Sequence, residues 1–246
     1  MTRRILATSG GFVAGPVQRS VRLGDMLLEA LTLTGATRPR VCLVLTASGD
    51  DVNYYAALYE AFNAAGCDVT DLRLFPQPSG PAEERLVGSD LVWVGGGSVA
   101  NLLALWALHG VGDAMRAAWE SGTILAGVSA GSLCWHTGGT TDSYGPELRP
   151  VTNGLGLLDF ANGVHYDSEE QRRPLLHALM GNGTLSARAL ATDDHVGVLY
   201  ENDEPVRVMS DLPVDPASGP SAYRLELRDG RVHEVRWPVG TPFPSI

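Results

Sequence analysis

The chain has 246 residues and a net charge of −10, from 18 basic and 28 acidic side chains, and all of its basic residues are arginine. Without lysine it cannot form a lysine Schiff base, complete a Walker A motif, supply the phosphate-binding lysine of a protein kinase or use a Ser-Lys dyad. The negative charge argues against a surface for nucleic acids or anionic membranes, and a content of 44% hydrophobic and 19% charged residues is typical of a globular protein.

The cysteines and the apolar runs indicate a protein of the cytoplasm. Cys42, Cys67 and Cys134 are odd in number and widely spaced, which fits neither a disulfide framework nor a zinc site. The apolar stretch near the N-terminus spans about four residues, which is too short for a signal peptide. No apolar run approaches the ~18 residues that are needed to span a membrane. We therefore expect a cytoplasmic protein without membrane or nucleic-acid partners.

Apolar runs alternate with segments of helical periodicity through the first 180 residues. The runs predict strands over 4–8, 40–46, 69–74, 90–94 and 123–128. The periodic segments predict helices over 25–33, 53–65, 99–108 and 112–120. Such alternation is typical of a parallel sheet with right-handed crossovers. We therefore expect an α/β fold of three layers, in which helices flank a mostly parallel sheet.

The C-terminal part of the chain is predicted to be rich in strands. Beyond about Thr184 the apolar runs become short, and Asp229-Gly230 between two alternating segments predicts a hairpin. No linker or low-complexity segment divides the sequence. We therefore expect a single domain over 1–246, with a core over about 3–200 and a β-rich C-terminal extension over about 201–240.

A candidate nucleophile lies in Gly127-Val128-Ser129-Ala130-Gly131, which matches the G-x-S-x-G nucleophile elbow. A strand is predicted before this motif and a helix-compatible segment follows it over 132–135, as the elbow requires. Such a turn exposes the Ser129 hydroxyl beyond the strand end and places the N–H of Ala130 at a helix N-terminus, beside a developing oxyanion. The alternative is an ordinary turn in which Ser129 caps the helix.

A second glycine-rich turn, Gly95-Gly96-Gly97-Ser98, ends the preceding strand. In a parallel sheet its position is next to the strand that ends at Ser129. Backbone without a Cβ can approach a reacting carbonyl closely and donate N–H groups to it. The turn could instead simply be capped by Ser98, and the two interpretations are compatible because a capping turn also binds anions.

A serine nucleophile in a chain without lysine needs a histidine as its base. His136 is seven residues beyond Ser129 and would be about two turns away on a continuous helix. His165 closes a predicted strand over 157–164, and functional groups collect at strand ends in open α/β sheets. His195 is predicted in a turn. The remaining histidines are predicted at a helix end, within a helix and on a late hairpin: His109, His177 and His233. The residues favour His165, with an ordinary structural histidine as the alternative.

The acid that would orient this base is left open by the residues alone. Asp142 is the nearest candidate in the chain, in the loop that follows the segment of the elbow. Glu147 and Asp167 are the alternatives. A loop aspartate most often forms a turn, so the position of Asp142 does not by itself indicate chemistry.

The ordered set of motifs resembles the serine peptidases of family S51, which comprises dipeptidase E (aspartyl dipeptidase) and cyanophycinase. The resemblance covers roughly residues 4–200. The motifs that carry it are Thr8-Ser9-Gly10-Gly11, Gly95-Gly96-Gly97, Gly127-Val128-Ser129-Ala130-Gly131, Thr140-Thr141-Asp142, and Gly154-Leu155-Gly156-Leu157 leading to His165.

This resemblance implies a fold and a set of catalytic residues. The fold is that of class I glutamine amidotransferases, a flavodoxin-like parallel sheet flanked by helices, with extra C-terminal strands. The implied nucleophile is Ser129, the base is His165 and the acid is Asp142, while Gly97 and Ala130 supply the oxyanion donors. No cofactor or metal is implied, and the resemblance allows a homodimer.

The sequence departs from the dipeptidase E branch where the substrate is recognised. That branch usually has Asn after its triple glycine, where this chain has Ser98, and its Thr-Arg-Glu-Gln-Arg segment uses the first Arg to recognise the substrate Asp. Here the segment is Ser168-Glu169-Glu170-Gln171-Arg172, so Glu169 stands at the recognition position. A carboxylate repels a substrate Asp. Arg172 could replace the missing arginine, but we favour a solvated helix residue.

We therefore predict a serine exopeptidase or dipeptidase that acts on short peptides by a Ser-His-Asp mechanism, without strict specificity for N-terminal Asp. Ser98, Glu169 and Arg172 are the candidate substrate contacts. Two alternatives remain. An esterase of the α/β-hydrolase type has the same chain order of triad residues. A non-catalytic small-molecule binding protein could also use this scaffold, because fold does not determine function.

Overall fold

The structure, a computed structural model, describes residues 2–18 and 20–245. Its strands form two large sheets and a small hairpin. In chain order the strands are β1 (Arg4–Thr8), β2 (Phe12–Ala14), β3 (Val21–Leu23), β4 (Arg40–Val44), β5 (Asp68–Asp71), β6 (Leu91–Val94), β7 (Ile124–Val128), β8 (His136–Thr141), β9 (Arg149–Val151), β10 (Leu158–Gly163), β11 (Arg188–Thr192), β12 (Val196–Glu201), β13 (Glu204–Ser210), β14 (Ser221–Arg228) and β15 (Arg231–Pro238).

Most of the helices connect strands of the first half of the chain, and two of them, α2 and α4, have side-chain caps. The Asp51 carboxylate accepts a hydrogen bond from the N–H of Tyr54, and the Ser98 hydroxyl accepts one from the N–H of Asn101. In chain order the helices are α1 (Asp25–Leu33), α2 (Val52–Ala64), α3 (Ala82–Leu86), α4 (Val99–His109), α5 (Val111–Glu120), α6 (Ala130–Leu133) and α7 (Arg172–Gly181).

The first sheet has seven strands in the order β13-β12-β1-β7-β6-β4-β5. The strands from β1 to β5 in this order run parallel, and β12 and β13 extend one edge in antiparallel fashion. The register pairs Thr8 with Val128, and Val94 with Gly127. The carboxyl ends of β1, β7 and β6 are therefore side by side, and the residues that follow them share one edge of the sheet.

The second sheet has six strands in the order β15-β14-β11-β10-β8-β9. Strand β10 lies between β8 and β11 and is parallel to both, whereas β9, β14 and β15 pair antiparallel at the two edges. The segments that leave the carboxyl ends of β8, β10 and β11 are consequently neighbours. The small hairpin pairs β2 with β3.

Helices cover both faces of the first sheet. Residues of α1 and α2, including Leu27 and Phe62, pack in one apolar cluster with that sheet. The other face packs with α3 to α6 in a second cluster, which also contains Leu158 and Trp237 of the second sheet. This shared cluster joins the two sheets through their apolar side chains. No helix within residues 2–18 and 20–245 has the length and apolar character needed to cross a membrane.

The structure confirms the fold class and most of the predicted elements. Helix α1 has the predicted bounds, and α2 differs by one residue at each end. The predicted hairpin at Asp229-Gly230 joins β14 and β15, and both of its turn residues have positive φ, 50° and 73°, as a type I′ turn requires. Cys42, Cys67 and Cys134 are free and buried.

Two features differ from the expectation. The strands divide into two sheets, and the C-terminal strands extend both of them, because β13 pairs in the first sheet and the β14–β15 hairpin in the second. In addition, the helix after the elbow ends at Leu133, so His136 is on β8 rather than two helical turns beyond Ser129. The Gly138-Gly139-Thr140-Thr141 run that follows has poor helix formers, which favours the strand.

Candidate active site

Ser129 lies at the turn between β7 and α6 in a strained backbone conformation. Its φ and ψ are 56° and −111°, a region that residues with a side chain rarely adopt. The turn is tight enough that a Cβ on Gly127 would collide with the carbonyl of Gly131, and one on Gly131 with the carbonyl of Val94. The N–H of Ser129 donates to the carbonyl of Thr8 over 3.0 Å. These contacts explain the glycines of the motif and give the geometry of a nucleophile elbow.

Two backbone segments converge beside Ser129. Ala130 is the first residue of α6, so its N–H has no acceptor within the helix. On the neighbouring turn, Gly97 has a φ of 134°, and a Cβ there would collide with the carbonyl of Ala47. A Cβ on Gly96 would lie 3.3 Å from the Cβ of Ser129, which shows how closely the two turns approach. The arrangement brings together the two predicted oxyanion donors, Gly97 and Ala130.

His165 follows the end of β10 and is held by a carboxylate that was not among the predicted candidates. Its Nδ1 lies 2.5 Å from Oδ1 of Asp194. Burial raises the pKa of Asp194, but hydrogen bonds from His165 and Ser168 outweigh it and hold that pKa below its usual range. The Asp194 carboxylate is therefore ionised at neutral pH.

Asp142, the predicted acid, does not occupy this position. It follows β8 on one side of β10, whereas Asp194 follows β11 on the other side, and the His165 ring is directed to Asp194. Glu147 is exposed. Asp167 contacts Asp194, since its Oδ1 accepts a hydrogen bond of 2.9 Å from the N–H of Asp194.

The turn that carries Asp194 is anchored to the second sheet. Oδ2 of Asp193 accepts hydrogen bonds from the N–H of Ser221 over 2.9 Å and from the hydroxyl of Tyr223 over 3.1 Å. The next residue, His195, has a φ of 63°, so the chain reverses direction here before it enters β12. The turn predicted for His195 is confirmed, and it fixes the position of Asp194.

Ser129 and His165 line the same cavity, which has a volume of about 330 Å³. The other residues of its wall are Gly97, Ser98, Asp142, Ser143, Glu169 and Arg172. The cavity therefore brings together the predicted nucleophile and base and all three predicted substrate contacts. Asp142 is an exposed residue of this wall and does not hydrogen-bond to the imidazole of His165.

The charges of this wall are arranged in a way that the sequence did not predict. Arg172 was expected to be solvated, but its side chain is 2% exposed. Its guanidinium donates to both carboxylate oxygens of Glu169, over 2.9 and 3.1 Å, and also to the carbonyl of Thr140. The Arg172 guanidinium on the cavity wall is thus hydrogen-bonded to the neighbouring Glu169 carboxylate.

The other histidine near the elbow has a structural role. His136 is buried, with Nδ1 against the carbonyl of Ser132 at 2.8 Å and Nε2 against the hydroxyl of Tyr200 at 3.2 Å. Burial lowers its pKa to about 4, although the hydrogen bond to Ser132 acts in the opposite direction. His136 is therefore neutral near pH 7 and is separated from the cavity chemistry.

A family model supplies the decisive comparison, since that of peptidase family S51 matches residues 5–208. The chain belongs to this family. The uncharacterized peptidase YgaJ of Bacillus subtilis (strain 168) is 35% identical over 239 residues, which is 96% of this chain and 98% of the relative. Together with the family match, this relative identifies the protein as a serine peptidase.

Two solved structures have a similar fold. A peptidase from an acI-B1 Actinobacterium aligns with a TM-score of 0.67 at 14% identity, over 99% of this chain and 97% of its own. A Listeria monocytogenes EGD-e protein named for peptidase E aligns with a TM-score of 0.59 at 16% identity, over 85% of this chain and 99% of its own. At these identities the likeness concerns the fold alone.

Asp194, the hydrogen-bond partner of His165, was not predicted from the sequence. A signal for it exists, because Asp193-Asp194-His195 directly follows the apolar run of β11. Its importance depends on β11 lying parallel and next to the strand of His165, with Ala191 opposite Gly163. That pairing is a long-range property, which the residues near Ser129 in the chain do not encode.

Proposed function

We propose that this S51 peptidase is an exopeptidase that hydrolyses short peptides with Ser129, His165 and Asp194 as its triad. The observation that carries the proposal is the 2.5 Å hydrogen bond between His165 Nδ1 and Asp194 Oδ1, made by a histidine that lines the same cavity as Ser129. A carboxylate at Nδ1 selects the imidazole tautomer in which Nε2 accepts a proton. Nε2 is the nitrogen that remains for the nucleophile.

The catalytic steps follow from these positions. The Ser129 hydroxyl attacks the scissile carbonyl carbon while Nε2 of His165 takes the hydroxyl proton. Asp194 stabilises the imidazolium, and the N–H groups of Gly97 and Ala130 donate to the oxyanion. The imidazolium then protonates the leaving amine as the peptide bond breaks. Water, activated by the same histidine, hydrolyses the acyl-enzyme and releases the second product.

The charge of the cavity wall supports action at a free amino terminus. Asp142 and Glu169 contribute two carboxylates, and Arg172 contributes one guanidinium that is bound to Glu169. The wall therefore carries a net negative charge, which favours the ammonium group of an unblocked peptide. A cavity of about 330 Å³ suits a short substrate rather than a folded protein.

The same wall argues against strict specificity for N-terminal Asp. An acidic substrate side chain needs a cation or free N–H donors, and the charge of the Arg172 guanidinium is already paired with the Glu169 carboxylate. Glu169 stands beside it and repels a second carboxylate. We propose that peptides with neutral or basic N-terminal residues are the better substrates.

Peptide hydrolysis by the wild type and by Ser129→Ala tests the proposal. We expect the wild type to cleave di- and tripeptides with a free amino terminus and to act poorly on their N-acetylated forms. Ser129→Ala should lose turnover and labelling by a fluorophosphonate while its melting temperature stays close to that of the wild type. Substantial turnover by Ser129→Ala, or activity confined to esters, would contradict the proposal. Equal cleavage of acetylated peptides would contradict the exopeptidase assignment.

A further inference from the structure

Ser9 lies where the two sheets meet, one residue beyond the end of β1. The carbonyl of the preceding residue, Thr8, accepts the N–H of the nucleophile Ser129. Ser9 itself is 4% exposed and is outside the cavity wall. Its hydrogen bonds, however, reach the segments that carry the base and the acid, so its position connects all three members of the proposed triad.

The side chain of Ser9 holds the base. Its Oγ accepts the backbone N–H of His165 over 3.0 Å. The same Oγ lies 2.7 Å from the hydroxyl and 3.1 Å from the carbonyl of Thr192, the last residue of β11. The hydroxyl of Ser9 therefore links the segment after β10 to the end of β11, from which the acid follows.

The backbone of Ser9 also forms hydrogen bonds with the turn that contains Asp194. Its carbonyl accepts the N–H of His195 over 3.0 Å, and its N–H donates to the carbonyl of Val196 over 2.8 Å. These two residues directly follow Asp194. The turn at Asp194 is thus fixed to β1 on its C-terminal side and, through Thr192, on its N-terminal side.

The backbone at these contacts needs external support. His165 and His195 have φ values of 52° and 63°, in the left-handed region that residues with a side chain seldom adopt. Such conformations persist where the surrounding contacts hold them. Ser9 supplies one hydrogen bond to the N–H of each of these two residues.

We propose that Ser9 is a positioning residue of the active site, which aligns the His165–Asp194 pair with Ser129 through its hydroxyl. This inference rests on the proposed triad. Catalytic groups must be held within a fraction of an ångström, and a displacement of about 1 Å can cost about 100-fold in rate. The role of Ser9 should therefore appear in kcat rather than in KM, because Ser9 does not line the substrate cavity.

The test compares Ser9→Ala with Ser9→Thr and with Ser89→Ala. We expect Ser9→Ala to lower kcat by about 10- to 100-fold on a short peptide with KM within about 2-fold of the wild type. Ser9→Thr, which keeps a hydroxyl, should restore most of kcat. Ser89 is buried at the opposite end of the sheet, where its hydroxyl donates to the carbonyl of Arg85, so Ser89→Ala controls for the loss of a buried serine hydroxyl.

A proton NMR signal distinguishes positioning from general destabilisation. An imidazole N–H bound to a carboxylate gives a strongly downfield proton resonance. The loss of this resonance in Asp194→Asn would assign it, in the wild type, to the His165–Asp194 pair. In Ser9→Ala this resonance should broaden or disappear well below the melting temperature, while Ser89→Ala should retain it. A folded Ser9→Ala protein with wild-type kcat and an unchanged resonance would overturn the inference.

Two further outcomes keep the inference separate from the proposed function. If the wild type cleaves no peptide, the proposed function fails, but the resonance still reports whether Ser9 holds the His165–Asp194 pair. If Ser9→Ala does not fold, Ser9→Cys decides, since it keeps a side chain of similar shape but replaces the hydroxyl with a thiol, whose sulfur is a weak acceptor for the His165 N–H. A folded Ser9→Cys with wild-type kcat and resonance overturns the inference, whereas a lowered kcat with unchanged KM supports it.

Discussion

Two carboxylates flank the strand that presents His165, and they differ in what they contact. Asp194 binds the imidazole, whereas Asp142 is exposed on the cavity wall. A carboxylate that contacts the base selects its tautomer and stabilises the charge it acquires, and one that contacts the substrate contributes to binding. The geometry therefore assigns the two residues different kinetic effects.

Asp194→Asn and Asp142→Asn should separate these effects. We expect Asp194→Asn to lower kcat by about 10⁴-fold, the size of effect found when a triad acid becomes an amide, since the amide favours the wrong tautomer. Asp142→Asn is the matched control, and we expect it to raise KM and leave kcat within about 10-fold. Steady-state kinetics on one peptide measures both. The reverse pattern would restore Asp142 as the acid.

A second pair of neighbouring residues tests the substrate preference. In Glu169→Gln an amide NH2 group replaces one carboxylate oxygen. This change weakens the hydrogen bonding to Arg172 and removes a negative charge from the cavity wall. We expect the ratio of kcat/KM for an N-terminal Asp peptide over its Ala analogue to rise by about 10-fold, equivalent to about 1.4 kcal/mol.

Glu170→Gln is the matched control for this ratio. Glu170 is exposed and adjacent in the chain, so its substitution changes the net charge by the same amount. We expect the Asp-to-Ala ratio to stay within about 2-fold of the wild type in this variant. A similar rise in both variants would show a general charge effect and would remove the special role that Glu169 has in the proposed preference.

At the scale of elements, local patterns predicted the parts of the structure that depend on neighbours in the chain. The apolar run before Ser129 and the glycines around it predicted β7 and the elbow, and the Asp229-Gly230 pair predicted the last hairpin. Each of these depends on a few adjacent residues and on the backbone conformations that they permit. The positions of Ser129 and His165 at strand ends follow from the same local signals.

Elements whose identity depends on distant partners could not be predicted in this way. The apolar run of β11 is indistinguishable by pattern from that of β12, yet β11 pairs with β10 in the second sheet and β12 with β1 in the first. Asp194 lies in the turn between β11 and β12. Arg172 presents a similar case, because its burial depends on Thr140 and Glu169 and not on helical periodicity.

At the scale of the whole molecule, the proposed active site is assembled from both sheets. Ser129 and the proposed oxyanion donors follow strands of the first sheet, and His165 and Asp194 follow strands of the second. The apolar cluster that contains Val94 and Leu125 of the first sheet also contains Leu158 and Leu190 of the second. Since the sheets share this cluster, neither can lose its packing without exposing side chains of the other.

Urea unfolding should therefore show one transition for structure and activity. We expect the midpoints from far-UV circular dichroism and from residual peptidase activity to coincide, as in a cooperative two-state protein. Leu158→Ala, a substitution in the second sheet, should cost about 2–5 kcal/mol and move both midpoints by the same amount. If the sheets unfolded independently, the activity midpoint of Leu158→Ala would fall while much of the dichroism signal kept its wild-type midpoint. Such a separation would show that the shared cluster does not couple the two halves of the site.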